Sequence, residues 1–350
     1  MTTTHTGNLT CVGAAALMFC LFTVPAAAQT AKDPGQISGY AFGDYYNVSE
    51  HHNSAIQGMS GFWFRRIYLT YDKKMDAGFA IRARLEAASP GDFTSASTMQ
   101  TFFKDMYLQH SQGDQRVFLG LIPTPTWEGI ENTLGYRHVE KTPLDLFKMG
   151  EARDMGISVR GPLDKQKKTS YWLMFGNGSG TKGKTDKGNA LYFLLSHKLT
   201  DQLTVEGYVD RWDKPGHTDW RTVQVDLMHA TPQSRMGVLF ADQQRQNTTG
   251  PDTKLQVTSL YADTKAGANA RAFFRVDWVN NPVPNADKIS YLALSPDAKP
   301  TFYMAGVEYK LSEDVKIVPN IEYVTYRDAT TSTTPKNNVF FRVTFYYAFK

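Results

Sequence analysis

Three arginines lie on two predicted neighbouring strands with a spacing that points to anion binding. Arg66 lies eight residues before Lys74 and Arg82 eight residues after it, with Arg84 two positions further on. A tight antiparallel turn centred near Lys74 would place Arg66 opposite Arg82 and Arg84 diagonal to both. Since like charges that face each other are unfavourable, either passing anions or acids such as Glu86 must balance them. The cluster predicts an anion-selective region in a pore or, alternatively, a structural ladder of salt bridges.

Other charged residues are expected on the same inward face of the predicted strands. The basic ones are Arg116, Arg160, Arg271, Arg275 and Arg342. Acids are nearly as numerous on that face and include Asp105, Asp154, Glu206, Asp226 and Glu308. Selectivity would therefore depend on local clustering and cannot be deduced from total charge.

The segment 178–185 matches the phosphate-binding pattern G-x-x-x-x-G-K-[ST], with Lys184 and Thr185 at its end. A nucleotide-binding loop needs a helix directly after it, so that backbone amides and the helix dipole meet the phosphates. Here three residues lead straight into a strand-like apolar run that starts at Ala190. We predict a flexible loop that binds no nucleotide and whose lysines attract anions.

The chain offers little for metal, cofactor or covalent chemistry. Both cysteines, Cys11 and Cys20, lie in the N-terminal apolar segment, so the remainder has no thiol ligand and no disulfide. The adjacent His51 and His52 are expected to be solvated, and no G-x-S-x-G or H-E-x-x-H motif is present. We predict no metal and no cofactor. A net charge of +4 is too mild to indicate nucleic acid.

The elements that would position these residues are β-strands. Apolar and polar residues alternate with a period of two, most clearly from Val339 to Phe349. Most such segments have the ~9–11 residues of a tilted transmembrane strand. The predicted strands lie near 36–47, 62–72, 76–88, 102–111, 115–123, 153–164, 168–177, 189–198, 202–212, 219–229, 234–243, 254–263, 270–279, 300–310, 314–326 and 338–349. The pattern predicts an all-β fold, a transmembrane antiparallel up-and-down barrel of about 16 strands.

The connections between the predicted strands alternate in length. The short ones are 73–75, 112–114, 165–167, 199–201, 230–233 and 311–313. The long ones are 48–61, 89–101, 124–152, 178–188, 244–253, 280–299 and 327–337. A bacterial outer-membrane barrel has short periplasmic turns and long external loops, whereas a soluble sandwich has no reason to separate loop lengths in this way. The parity therefore favours a barrel surrounded by outer-membrane lipid.

The longest connection, 124–152, is unusual for a structureless loop. We predict that it folds into the lumen and narrows it, an external flap being the alternative. Its candidate constriction residues are Trp127, Glu128, Glu131, Arg137 and Lys141. The two glutamates could balance arginines across the lumen.

Residues 1–28 are predicted to be a cleaved secretory signal. The apolar run from Val12 to Val24 is too short to span a bilayer, and Ala26–Ala28 provide a cleavage site. Residues 29–350 would then form a single barrel domain in the outer membrane of a Gram-negative bacterium.

Residues 60–165 resemble the phosphate-selective porin O and P family of Gram-negative outer membranes. The similar segments are RRIYLTY (65–71), FAIRARLE (79–86), FKDMYL (103–108), VFLGLIPTP (117–125) and RDMGIS (153–158). The resemblance implies a sixteen-stranded barrel, usually a homotrimer, with the third loop in the lumen. It also implies passive uptake of small anions, sometimes phosphate.

The sequence thus predicts a porin that lets small hydrophilic solutes diffuse, with a preference for anions, and not an enzyme. One alternative is a barrel that serves as a scaffold for a periplasmic or surface partner, which a filled lumen would favour. The other is an outer-membrane barrel enzyme whose catalytic groups lie on separate strands.

Overall fold

The computed structural model describes residues 34–216 and 218–349, so the predicted signal 1–28 lies outside the described residues. Sixteen strands follow one another along the chain. They are β1 (Gln36–Glu50), β2 (Ser60–Lys74), β3 (Phe79–Ala88), β4 (Gln100–Gln112), β5 (Gln115–Pro123), β6 (Arg153–Pro162), β7 (Thr169–Gly176), β8 (Ala190–Lys198), β9 (Leu203–Trp212), β10 (Trp220–Ala230), β11 (Ser234–Arg245), β12 (Thr253–Lys265), β13 (Ala270–Val279), β14 (Lys299–Lys310), β15 (Val315–Arg327) and β16 (Asn338–Phe349).

Every strand pairs antiparallel with its neighbours in sequence, and β1 pairs with β16 to close the barrel. Each of the sixteen predicted strands corresponds to one observed strand, with ends that differ by a few residues. Closure leaves no unpaired strand edge, which is the condition for a sheet to lie in lipid. The predicted fold class is confirmed.

The two faces of the sheet differ in polarity. On β10, the outward side chains of Val223, Val225 and Leu227 are 43–49% exposed, whereas the inward Thr222 and Asp226 are buried. Short-period alternation of this kind is typical of strands that separate lipid from a polar interior. The residue pattern alone therefore sets which side chains face the lumen along most of the barrel.

Loop lengths separate between the two ends of the barrel, as predicted. The connections after β2, β4, β6 and the later even-numbered strands are short turns. Those after the odd-numbered strands are longer, and the longest are 124–152 and 280–298. We refer to the two ends as the short-turn end and the long-loop end.

The third long connection folds into the barrel and carries two short helices, α1 (Glu128–Leu134) and α2 (Pro143–Leu146). Helix α1 contacts β10, β11 and β12, and its Ile130 and Leu134 are buried in an apolar cluster inside the lumen. The prediction that 124–152 enters the lumen is confirmed. None of the helices in the described residues is long and apolar enough to cross a membrane.

A second connection, 280–298, also turns inward, through a 3-10 turn at Ala286–Lys288. Its Ile289, Leu292 and Leu294 join the same apolar cluster as α1. Apolar residues on the inner face of β11–β14, such as Leu239 and Phe302, complete the cluster. Part of the lumen is therefore packed like a protein core.

Two β-bulges alter the inward face near the start of the chain. The β1–β2 register skips Arg65, and the β3–β4 register skips Lys104. Strict alternation would direct both side chains outward. Because a bulge inserts one extra residue, two consecutive side chains can face the same side. Arg65 is thus buried inside the barrel beside Arg66, and Lys104 lies inside beside Asp105.

Candidate functional site

A cavity of about 190 Å³ lies between the third connection and the wall formed by β2, β3, β4 and β6. We call it the charged cavity. Its ionisable lining residues are Arg66, Glu86, Lys104, Arg137, Lys141, Asp145, Lys148, Glu151 and Arg153. Six of these side chains are basic and three are acidic, so the lining carries an excess of positive charge.

The wall and the third connection each contribute internal ion pairs to the charged cavity. Glu86 accepts a hydrogen bond from Arg66 and lies 3.2 Å from the Lys104 ammonium. On the connection, Arg137 lies 3.3 Å from Asp145 and 3.4 Å from Glu131. Arg153 is paired as well, with Asp105. Of the bases that line the cavity, Lys141 and Lys148 are therefore the two without an ion pair among the described residues.

The lysines of the third connection provide the excess charge. Lys148 is exposed to the lumen, and its ammonium has no ionic partner in the part of the chain that the structure describes. The Lys141 ammonium donates to the Ser290 carbonyl oxygen at 3.4 Å and lies 5.7 Å from the Tyr291 ring centre. Burial lowers the pKa of Lys141 to about 7, although the neighbouring Glu140 carboxylate opposes this effect. An anion in the cavity would meet both ammonium groups.

The predicted pairing of Arg66, Arg82 and Arg84 is wrong. Arg66 pairs in register with Ala88, and Arg82 pairs with Asp72. The turn spans residues 75–78 and is centred on Ala77, three residues later than predicted, because Ala77 and Gly78 adopt the left-handed conformation. A shift of three residues in the centre keeps all three arginines on the inner face but gives each a different partner.

Most of the predicted pore-lining arginines form ion pairs with nearby acids. Arg82 bonds to Asp72 at 2.7 Å, and Arg84 lies 3.4 Å from Asp105. Arg271 bonds to Asp263 at 2.7 Å, and the fully buried Arg275 bonds to Asp277 at 2.9 Å. Of Arg66, Arg82 and Arg84, only Arg66 lines the charged cavity.

Two opposed arginines do occur, on β5 and β6 instead. Arg116 and Arg160 are direct cross-strand partners, and both line a second cavity of about 430 Å³. We call it the short-turn cavity, since Asp114 and Lys167 of the short turns also line it. Glu128 of the third connection lies 3.1 Å from Arg160 there, and so does not balance the Arg66 region.

The remaining candidate residues of the third connection have supporting roles. Trp127 is buried in the apolar cluster inside the lumen, and Glu131 holds Arg137. Trp127 and Glu131 therefore do not line the charged cavity, whereas Arg137 and Lys141 do.

Five fully buried charged residues anchor the third connection, and we call them the Asp44 cluster: Asp44, Arg65, Glu140, Glu322 and Arg342. Asp44 accepts from Arg65 at 2.6 Å and from Arg342 at 3.1 Å. Arg65 also lies 3.3 Å from Glu140, and Arg342 lies 3.0 Å from Glu322. The cluster joins four strands around the β1–β16 closure to the tip of the third connection.

The same arginines bind backbone carbonyls of both inward connections. Arg65 donates to the Val139 oxygen, and Arg342 donates to the Tyr291 oxygen. This cluster was not predicted from the sequence. The adjacent Arg65 and Arg66 in one strand were the available signal, because only a bulge lets both face inward. The cluster sets the position of the loops that define the charged cavity.

The histidine pair is not solvated as predicted. His51 is buried, and its Nε2 lies 3.1 Å from the Ala293 carbonyl oxygen. Burial lowers the pKa of His51 to about 4. Among residues 34–216 and 218–349, no group of three or more His, Cys, Asp or Glu side chains could hold a metal ion.

We expect no saturable ATP binding at Gly178–Thr185. The segment lies in the connection before β8, so a strand follows it where a phosphate site requires a helix. Lys184 already donates to the Asn177 carbonyl oxygen at 2.8 Å and pairs with Asp186 at 2.6 Å. Equilibrium dialysis with labelled ATP checks this, and binding that disappears in Lys184→Ala would show the expectation to be wrong.

A closed barrel of sixteen antiparallel strands with an inward third loop is the architecture of outer-membrane porins. Comparison with solved structures agrees. OmpT, expressed in the outer membrane of Vibrio cholerae, has a TM-score of 0.64 at 11% identity, covering 92% of this chain and 100% of that one. The anion-selective porin from Comamonas acidovorans has a TM-score of 0.63 at 14% identity, covering 90% and 99%. A mutant of the Rh. blastica porin has a TM-score of 0.58 at 15% identity, covering 90% and 100%.

At these identities the likeness concerns the fold. No protein-family model matches the chain. No curated protein sequence matches it either.

Proposed function

We propose that the protein is an outer-membrane porin that lets small hydrophilic solutes diffuse passively and prefers anions. The observation that carries the proposal is the charged cavity, in which six basic and three acidic side chains line the space left beside the third connection. Charge of one sign between low-dielectric walls raises the local concentration of the opposite ion. The apolar outer face of the strands supports insertion into lipid.

Three further observations support parts of this proposal. The segments at 65–158 resemble the phosphate-selective family, which makes phosphate a solute to test first. The anion-selective porin from Comamonas acidovorans shares the fold. A trimer form is recorded for OmpT of Vibrio cholerae, and we propose a homotrimer here as well.

Planar lipid bilayers test the proposal directly. The folded full chain should insert and give discrete conductance steps in potassium chloride. Under a salt gradient, the reversal potential should have the sign of chloride permeation, because the excess positive charge disfavours potassium. Absence of steps, with the barrel shown to be folded, would disprove the pore; a potential of the opposite sign would disprove the anion preference.

The apolar packing inside the barrel is the observation that favours the scaffold alternative. Core-like residues such as Ile130, Leu239 and Phe302 reduce the open lumen. A barrel that only carries a partner would insert and fold but would not conduct. The same recording therefore distinguishes a pore from a scaffold. A casein-cleavage assay on the folded protein tests the remaining alternative, a barrel enzyme.

We expect the anion preference to weaken as the pH rises from about 6 to about 8. Burial lowers the pKa of Lys141 to about 7, so its ammonium is charged at the lower pH and neutral at the higher one. The reversal potential at the two pH values, under one salt gradient, measures the loss of this charge. Lys141→Gln should show the high-pH value throughout, and an undiminished pH dependence in that variant would contradict the assignment.

A further inference from the structure

We propose that the short-turn cavity binds a small monocarboxylate with an apolar body, a class of solute that benzoate represents. The proposal deepens the proposed function and rests on it, because it names a class of anion for the pore. The cavity volume of about 430 Å³ lies within the ~300–1,000 Å³ of typical small-molecule sites. The cavity shares no lining residue with the charged cavity, so the two sites are separate.

Arg116 supplies the anion-binding group of this cavity. The residue is exposed, and its guanidinium has no ionic partner or hydrogen bond among the described residues. Its cross-strand partner Arg160 differs, because Arg160 donates to both carboxylate oxygens of Glu128 at 3.1 Å. A guanidinium can hold a carboxylate with two parallel charge-assisted hydrogen bonds. Arg116 is therefore the group that holds an anionic solute here, whereas Arg160 is already neutralised.

The Trp172 indole provides a second hydrogen-bond donor. Its N–H is buried and has no acceptor in the part of the chain that the structure describes. Arg116, Arg160 and Trp172 are cross-strand neighbours in one row over β5, β6 and β7, and all three line the cavity. A buried donor without an acceptor is destabilising, and a solute oxygen that accepts from it removes this cost. The row thus offers a carboxylate one charged and one neutral donor.

The same row continues into an apolar surface. Trp172 pairs in register with Leu194 on β8, and Pro162 also lines the cavity. Arg160 fits into this surface, since its guanidinium lies 4.3 Å from the Trp172 ring centre and 4.9 Å from that of Phe118. An apolar body placed against the row is removed from water, which favours binding. A carboxylate without such a body forgoes this contribution.

Glu206 gives the bound solute one orientation. It lines the far side of the cavity on β9, where it hydrogen-bonds to Ser196. Strands lie ~4.8 Å apart, so Glu206 is about 19 Å from Arg116 along the sheet, too far for one small molecule to contact both. A carboxylate is repelled at the Glu206 side and held at the Arg116 side. The apolar body therefore points from Arg116 toward Trp172 and Leu194.

Benzoate is the probe for the first experiment. Added to the pore in a planar bilayer, it should reduce the current in a saturable manner. Benzamide lacks the charge and acetate lacks the apolar body, so each should block at least about tenfold more weakly. Absence of saturable blockade would overturn the proposal. Equal blockade by acetate would also overturn it, in favour of a plain anion site, and equal blockade by benzamide would do so in favour of a plain apolar site.

Variants locate the effect in the cavity. Arg116→Gln should weaken benzoate blockade by about tenfold, because it removes the charge-assisted hydrogen bonds. Trp172→Phe keeps an aromatic ring but removes the N–H, and should weaken blockade by about threefold. The matched control is Lys168→Gln, which removes an exposed lysine near the same turns that does not line the cavity, and it should leave blockade unchanged. Unchanged blockade in Arg116→Gln, or an equal loss in Lys168→Gln, would refute the site.

A second measurement distinguishes failure of this site from failure of the pore. If the folded chain forms no conducting pore, the proposed function fails, and saturation-transfer NMR of benzoate with the folded barrel in detergent tests the site alone. Transfer to benzoate that Arg116→Gln abolishes supports the site. Transfer that is equal in the wild type and in Arg116→Gln, or absent from both, overturns it.

Discussion

Replacing Lys104 and Lys148 together with glutamine is expected to lower the anion-to-cation permeability ratio by about threefold or more in dilute salt. Both side chains line the charged cavity, and their loss leaves four basic against three acidic residues there. A unit charge ~8 Å from a passing ion changes its energy by roughly 0.5 kcal/mol even at the dielectric constant of water. Two such charges favour chloride and disfavour potassium, while salt screening reduces both effects.

Reversal potentials in dilute and in concentrated salt measure this change. The matched control is Lys168→Gln with Lys198→Gln, which removes two exposed lysines near the short turns and away from the cavity. The double control should keep the wild-type ratio. If both pairs of substitutions have the same effect, the selectivity arises from overall charge and not from the charged cavity.

Asp44→Ala is expected to lower the free energy of unfolding by about 3–5 kcal/mol. Asp44 is fully buried and accepts from Arg65 and Arg342, and also from the Trp63 indole at 3.0 Å and the Thr344 hydroxyl at 2.8 Å. Removing the carboxylate leaves two guanidiniums buried with only Glu140 and Glu322 beside them. The two guanidiniums, the Trp63 indole and the Thr344 hydroxyl each lose a buried acceptor, and together these losses cost much more than the loss of one exposed ion pair.

Urea titration of the folded barrel in detergent measures the change. Asp242→Ala is the control, because Asp242 is partly exposed and its partners are the half-exposed Lys254 ammonium at 3.4 Å and the Gln256 amide, which donates to it at 2.6 Å; losing them should cost about 1 kcal/mol. Asp44→Asn, which retains hydrogen-bonding groups, should fall between the two if Asp44→Ala does not fold. Similar unfolding midpoints for Asp44→Ala and Asp242→Ala would refute the anchoring role. Since the Asp44 cluster also holds the third connection, single-channel current should become noisier in Asp44→Asn.

The sequence alone determined the number and order of the strands. Each strand from β1 to β16 has one face toward the outside and one toward the lumen. Apolar and polar residues therefore alternate along the strand. This signal is local and needs no knowledge of partners. The alternation of short and long connections is also visible in the sequence, and it predicted which connections lie at the same end of the barrel. The length of 124–152 was enough to predict that this connection enters the lumen.

The tertiary structure alone decided which charges meet. Whether Arg66 faces Arg82 depends on the centre of one turn, and Ala77 and Gly78 placed that centre three residues beyond the expected position. A shift of this kind preserves the period-two pattern, so the pattern could not reveal it. The bulges at Arg65 and Lys104 interrupt the alternation for one residue only, and the adjacent charges at Arg65 and Arg66 were the one sign of the first bulge in the sequence.

The charge clusters were also out of reach because their members are distant in the chain. Asp44 and Arg342 meet only because β1 and β16 close the barrel, and Glu140 reaches them only because the third connection crosses the lumen. Arg116 and Glu206 share a cavity because four consecutive hairpins curve around it. Alternation places a side chain on the inner face, but the curvature of the closed sheet and the packing of the inward loops determine what that side chain touches.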